Sequence, residues 1–300
     1  MPARAAMISR VSRAGAILAA VLLFPAPPAV AKIVEEVVEI AVTAANLYGR
    51  QFTQPITLTV VRDDERERSP FLVLNHGRPA TPADFAKMGR VRYTANARYF
   101  VSKGFAVFMP TRMGYGVSGG EDVEYSGACQ SRQYPPAFEA AAQQTLKVIE
   151  HARSLKYVDP GRGLVMGQSY GGATAIAIAA KQVPGVLAAV NFAGGGGGNP
   201  AQSPEKPCRA DLMEELLASY GATARIPTLW LYSENDRYWG KELPRRWFES
   251  FRKRGGAGDF VQLPPLQPPL GEDGHAIFTR NPDAWRPALE DFLRRTGFLQ

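Results

Sequence analysis

Residues 165–180 read VMGQSYGGATAIAIAA, and few folds accommodate that order. A short apolar run suited to a strand gives way, within a few residues, to an alanine-rich segment suited to a helix. At the junction, Gly167 precedes Ser169 by two positions, and Gly171 and Gly172 follow it by two and three. Glycine has no β-carbon, so a strand and a helix can approach closely around a sharp turn there. The spacing predicts strand, tight turn and helix, with Ser169 at the apex.

The surrounding chain repeats that logic. Brief β-branched or aromatic runs closed by turn residues occur at 56–61, 70–77, 104–110, 163–167, 186–192, 228–233 and 259–264. Helical stretches lie between them: 83–104, AFEAAAQQTLKVIEHARSL, ATAIAIAAKQ, KELPRRWFESFRKR and DAWRPALEDFLRRTG. Strands alternate with helices and the later strands are apolar throughout, which predicts an α/β fold: a mostly parallel sheet with helices on both faces. Residues 33–47 are read as a helical lead-in. In such a sheet, loops leaving the carboxyl ends of the strands gather along one edge, where ligands are held. Two of these loops, 110–135 and 193–225, are long enough to act as lid-like insertions. Gly194–Gly198 has no side chains to pack and reads as a hinge.

Arg4, Arg10 and Arg13 precede an uncharged apolar run over 14–24, and Ala29-Val30-Ala31 follows; this is the order of a secretory signal peptide over 1–31. The run is too short to span a bilayer comfortably, so no stable membrane span is expected after cleavage. One domain over 32–300 remains. Removing three leader arginines from a formal charge of +7 leaves +4, with no basic stripe of the kind nucleic acid requires. Export to the periplasm or beyond lets the two cysteines, Cys129 and Cys208, form a disulfide tying the two long loops together.

A serine at a strand–helix turn is a weak nucleophile until a base takes its proton. Three histidines are available. His151 lies in a charged helical stretch and reads as a surface residue. His76, in Asn-His-Gly-Arg-Pro, precedes the serine and reads as loop support. His275, in GEDGHAIF, follows the last strand and is the expected base. Asp236, a short loop beyond the strand TLWLYS, is the expected orienter of its imidazole, with Glu234 the competing carboxylate and Asp273 a loop-shaping residue. An oxyanion needs two donors; the backbone amides of Arg78 and Tyr170 are the candidates, since Pro79 has no N–H. The Arg78 side chain either meets an anionic substrate group or faces solvent. Tyr115, Tyr238 and Trp239 lie beside strand ends and either line a substrate pocket or pack in the core or rim. The glycine-rich 114–122 lacks the lysine of a phosphate loop, the proline-rich 263–271 reads as an extended loop, and no ligand cluster suggests a metal or other cofactor.

The set NHGRPA, GQSYGG, SENDRYW and DGHAIF, in this order over residues 56–298, resembles the α/β-hydrolase superfamily and is similar to its dienelactone hydrolase-like branch. The resemblance implies a sheet of about eight strands and a Ser169, Asp236, His275 triad. The branch's namesake enzymes carry cysteine at the turn where this chain has Ser169, so their lactone substrate does not transfer. The expectation is an exported serine hydrolase acting on a small-molecule carboxylic ester through an acyl-enzyme. A peptidase or amidase, an acyltransferase, and a non-catalytic binding protein of the same fold are the alternatives. Oligomeric state is not legible.

Overall fold

The computed structural model describes residues 1–3 and 32–300; the apolar run and cleavage site of the expected leader lie outside the described residues. Eight strands form one sheet: β1 (Ile33–Ala45), β2 (Gln51–Asp63), β3 (Ser69–Asn75), β4 (Ala106–Thr111), β5 (Val158–Gln168), β6 (Val186–Phe192), β7 (Thr228–Ser233) and β8 (Gly258–Leu263). Their spatial order is β1-β2-β4-β3-β5-β6-β7-β8. The β1–β2 and β2–β4 pairs are antiparallel, and every pair from β4–β3 to β7–β8 is parallel. The α/β architecture read from the alternating pattern is therefore observed.

One lead-in differs from its reading. Residues 33–45 form an edge strand rather than a helix, because exposed and half-buried positions alternate with period two along IVEEVVEIAVTAA. Val38, Ile40 and Val42 face inward while Glu35 and Glu39 face solvent, and the whole strand pairs with β2.

Helices α1 (Thr94–Ser102), α2 (Tyr134–Ser154), α3 (Tyr170–Ala180), α4 (Ala210–Thr223), α5 (Glu242–Lys253), α6 (Ile277–Arg280) and α7 (Pro282–Arg295) complete the fold. Phe100 of α1 and Trp285, Leu289, Phe292 and Leu293 of α7 pack on one sheet face, with Leu72, Met109, Met166 and Val190. The other face takes Val148 and Ile149 of α2, Ile178 of α3, Met213 and Leu217 of α4, and Trp247 and Phe251 of α5. The helical stretch read over 83–104 is helical only from Thr94. Gly89 (φ 62°) and Tyr93 (φ 39°) take positive-φ backbone that an α-helix cannot continue through. The second long excursion is shorter than 193–225, since 210–223 is the crossover helix α4.

Cys129 and Cys208 are disulfide-bonded, with Cα atoms 5.1 Å apart. The bridge joins the excursion after β4 to the one after β6. Closing a loop of 79 residues stabilises the fold by roughly 4 kcal/mol through the unfolded chain.

Candidate active site

Ser169 caps β5 and precedes α3 with φ 57° and ψ −124°, a conformation that side chains other than glycine rarely adopt. The turn is fixed on both sides. Ser169 N–H donates to Phe192 O at 2.8 Å, and Ser169 O accepts from Gly172 N at 2.9 Å. A β-carbon on Gly167 would lie 2.2 Å from Gly171 O, and one on Gly171 would lie 2.3 Å from Asn75 O. Both glycines are therefore required by close approach, as their spacing around the serine implied.

Asp236 follows β7 and is fully buried; His275 follows β8 in a short helical turn and is 7% exposed. His275 Nδ1 lies 3.0 Å from Asp236 Oδ2 and 3.1 Å from Oδ1. The same carboxylate accepts the backbone N–H of Tyr238 at 2.8 Å and of Trp239 at 3.3 Å. Three donors thus hold one buried charge, and an Nδ1 proton is the tautomer that this pairing favours. Glu234, the competing carboxylate, is exposed and pairs with Lys241 at 3.2 Å. Asp273 shapes the loop: its Oδ1 accepts the amides of His275 at 2.9 Å and Arg237 at 3.0 Å. Gln168, which the sequence reading passed over, donates to His275 O at 2.9 Å and ties the serine turn to the histidine turn. Tyr238 stacks on the His275 ring, centroids 3.9 Å apart. Ser169 and His275 line one cavity without a direct hydrogen bond, a spacing common in ligand-free sites that tighten on substrate.

Arg78 follows β3. Among the described residues neither its amide nor that of Tyr170 has an acceptor, which leaves both free for a ligand oxygen. Arg78 lines both cavities at the serine, and its partly exposed side chain is taken up by protein partners. Its guanidinium makes a two-pronged pair with Asp122, at 2.7 and 2.6 Å, and donates to the Tyr115 hydroxyl. Tyr115 takes the core alternative rather than lining the pocket: it is fully buried, donates to Glu124 at 2.7 Å, and lines neither cavity at the serine. Arg112 and Glu124 form a completely buried ion pair, Nε to Oε1 2.6 Å, and Arg112 also donates to His76 O at 2.9 Å. His76 accepts the Arg112 amide on Nε2 at 3.1 Å, and its Nδ1 lies 2.6 Å from Gly77 O. Burial, with Arg112 beside it, drives the His76 pKa well below the usual imidazole range. His151 lies half-exposed in the last turn of α2 and lines neither cavity at the serine.

Two cavities flank Ser169. The smaller, about 60 Å³, is lined by Arg78, Ser126, Arg132, Tyr170, Trp239 and the glycines 195–198 among others. The larger, about 240 Å³, is lined by Met88, Tyr93, Gln168 and His275. Arg78, Pro79, Ser169 and Tyr238 belong to both. Tyr238 thus lines both cavities and Trp239 the smaller one. The glycine run is a packed wall rather than a hinge. A β-carbon on Gly195 would lie 2.9 Å from Trp239, and one on Gly198 would lie 2.7 Å from Tyr238. Its missing side chains admit the aromatic rings that close the cavity. Among the described residues no group of three or more histidine, cysteine or acidic side chains is placed to hold a metal ion.

Comparison with known proteins follows the same lines. The family model described as "Alpha/beta hydrolase family" matches residues 71–297. No curated protein matches the chain. Among solved structures, the chain is similar to a candidate dienelactone hydrolase from Klebsiella pneumoniae, at 14% identity and TM-score 0.55, covering 87% of this chain and 99% of that one. It is also similar to an acetyl ester-xyloside bifunctional hydrolase from Caldicellulosiruptor lactoaceticus, at 17% identity and TM-score 0.53, covering 82% and 89%. An acylaminoacyl peptidase from Pyrococcus horikoshii matches at 15% identity and TM-score 0.58, but the shared region spans 41% of that longer chain against 87% of this one. At such identities the likeness is one of fold. With the family model matching well over half of its length, the chain belongs to the alpha/beta hydrolase family.

Proposed function

We propose that this chain is an exported serine hydrolase that cleaves carboxylic esters through a Ser169–His275–Asp236 triad. The observation that carries the reading is the buried Asp236 carboxylate paired at 3.0 Å with His275, whose ring shares a cavity with Ser169. With the Nδ1 proton directed at Asp236, the Nε2 lone pair is available to the serine.

In the proposed reaction His275 takes the Ser169 proton as Oγ attacks the ester carbonyl. The amides of Arg78 and Tyr170 meet the developing oxyanion, each worth about 3 kcal/mol in the transition state. Imidazolium, stabilised by Asp236, then gives its proton to the departing alcohol. Water repeats the sequence on the acyl-enzyme and releases the acid. The alcohol must leave on the His275 side, so the 240 Å³ cavity takes the alcohol and the 60 Å³ cavity the acyl group. Nothing in this sequence of steps calls for a cofactor.

The disulfide supports export, since such bridges persist in oxidising compartments. No helix among the described residues is long and apolar enough to cross a membrane. The similar structures include both a hydrolase of acetyl esters and a peptidase, in line with the ester reading and its amide alternative, and the small acyl cavity supports a short acyl group. A panel of aryl and benzyl esters, with matched amides, tests the reading in the parent and in Ser169→Ala. Ester turnover lost in the variant supports it. Amide turnover alone would favour the peptidase alternative, acyl transfer to added alcohols the transferase, and no turnover the binding protein.

A further inference from the structure

Two arginines line the smaller cavity, Arg78 and Arg132, and the first is neutralised by Asp122. Arg132 has no carboxylate partner among the described residues. Its Nη1 donates to Ser126 Oγ at 2.9 Å, and its Nε is buried with no acceptor. That Nε is closed off from solvent, so what the guanidinium offers a ligand is the part that lines the cavity, where its charge has no counter-ion. Arg132 and Ser126 both line the 60 Å³ cavity, which His275 does not line. Their loop is pinned: Gln133 N donates to Ser126 O at 2.7 Å, and the Cys129–Cys208 bridge anchors its middle. The cation is presented without further ordering of the loop.

Size narrows what it can meet. A single water needs at least roughly 10–15 Å³ and takes up about 30 Å³ in the liquid, so a cavity of about 60 Å³ suits a short chain only. A succinyl group is short in that sense: two methylenes beyond the ester carbonyl lead to a carboxylate. We propose that the acyl substrate is a half-ester of a short dicarboxylic acid, its free carboxylate bound by Arg132 and Ser126. The inference rests on the proposed role of Ser169. In the reaction Ser169 Oγ bonds to the ester carbonyl carbon and the C–O bond to the alcohol breaks, the alcohol taking its proton from His275. Water then displaces Ser169 and the dicarboxylate departs.

The test compares benzyl hemisuccinate with benzyl 4-methylpentanoate, which replaces the carboxylate by an uncharged group of the same shape. The parent is expected to favour the hemisuccinate by about 10- to 100-fold in kcat/KM, the range of a charged hydrogen bond. Arg132→Gln is expected to bring that ratio to within about threefold, and a ratio taken within one protein cancels any general loss of activity. Equal or reversed preference in the parent, or a ratio unchanged in Arg132→Gln, overturns the proposal. If the variant does not fold, the parent alone decides: succinate should inhibit benzyl acetate turnover at concentrations at least about tenfold below butyrate, and equal inhibition overturns the proposal. Turnover of benzyl acetate that disappears in Ser169→Ala separates the two levels. If it is present while the charged preference is missing, only the acyl assignment falls; if it is absent, the hydrolase reading falls as well.

Discussion

His76 and His275 both follow sheet strands and both are buried, yet they are opposites in what surrounds their rings. Both nitrogens of His76 are occupied by backbone, Gly77 O on one side and the Arg112 amide on the other. His275 has a carboxylate on Nδ1, and its other nitrogen has no protein partner among the described residues. The contrast extends to the regions around them. Near β3 and β4, Arg78, Arg112, Tyr115 and Glu124 satisfy one another. Near β5 and β8, the Ser169 hydroxyl and the His275 ring are left open onto a cavity. A satisfied polar network specifies structure, whereas an unsatisfied pair held by a satisfied frame is where chemistry can occur.

Substitutions on the two sides should therefore fail differently. Ser169→Ala is expected to lower kcat by about 10⁴- to 10⁶-fold in an ester assay, with the urea midpoint nearly unchanged. Asp236→Asn removes the acceptor that sets the His275 tautomer and is expected to cost about 10⁴-fold in kcat. A Ser169 or Asp236 variant that lost stability rather than turnover would erase the distinction between the regions. On the other side, Glu124→Gln leaves the Arg112 charge buried and unpaired, and urea denaturation should show a loss of about 3–5 kcal/mol. The smallest effect concerns pH. His76 is held neutral in the fold, so protons favour the unfolded chain. Stability is full above its ordinary pKa of 6.5 and falls as the pH drops below that, by up to about 1.4 kcal/mol per unit, until the depressed folded-state pKa is reached. Unfolding at pH 7.5 and 5.5 should show a smaller acid loss in His76→Asn than in the parent.

The same contrast explains what the sequence disclosed. The strands after β1 were legible as apolar runs with turn residues, and strand ends place Ser169, Asp236 and His275 on one edge whatever the loops do. Side-chain direction within a loop depends on partners far along the chain. Tyr115 turns inward because Glu124 and Arg78 receive it, and Arg78 turns to Asp122 across 44 residues. Neither pairing has a local signature. Arg132 and Ser126 were passed over for the same reason, since only the folded loop shows that both line the cavity. Other misses had a signal. Period-two alternation marks β1, and Met213, Leu216 and Leu217 mark the buried stripe of α4.

The most direct test is where a fluorophosphonate attaches. After labelling, digestion and mass spectrometry, the account predicts one adduct, on the peptide carrying Ser169, formed rapidly in the parent and absent from both Ser169→Ala and His275→Ala over the same exposure. An adduct on another residue, none at all, or undiminished labelling of His275→Ala would contradict it.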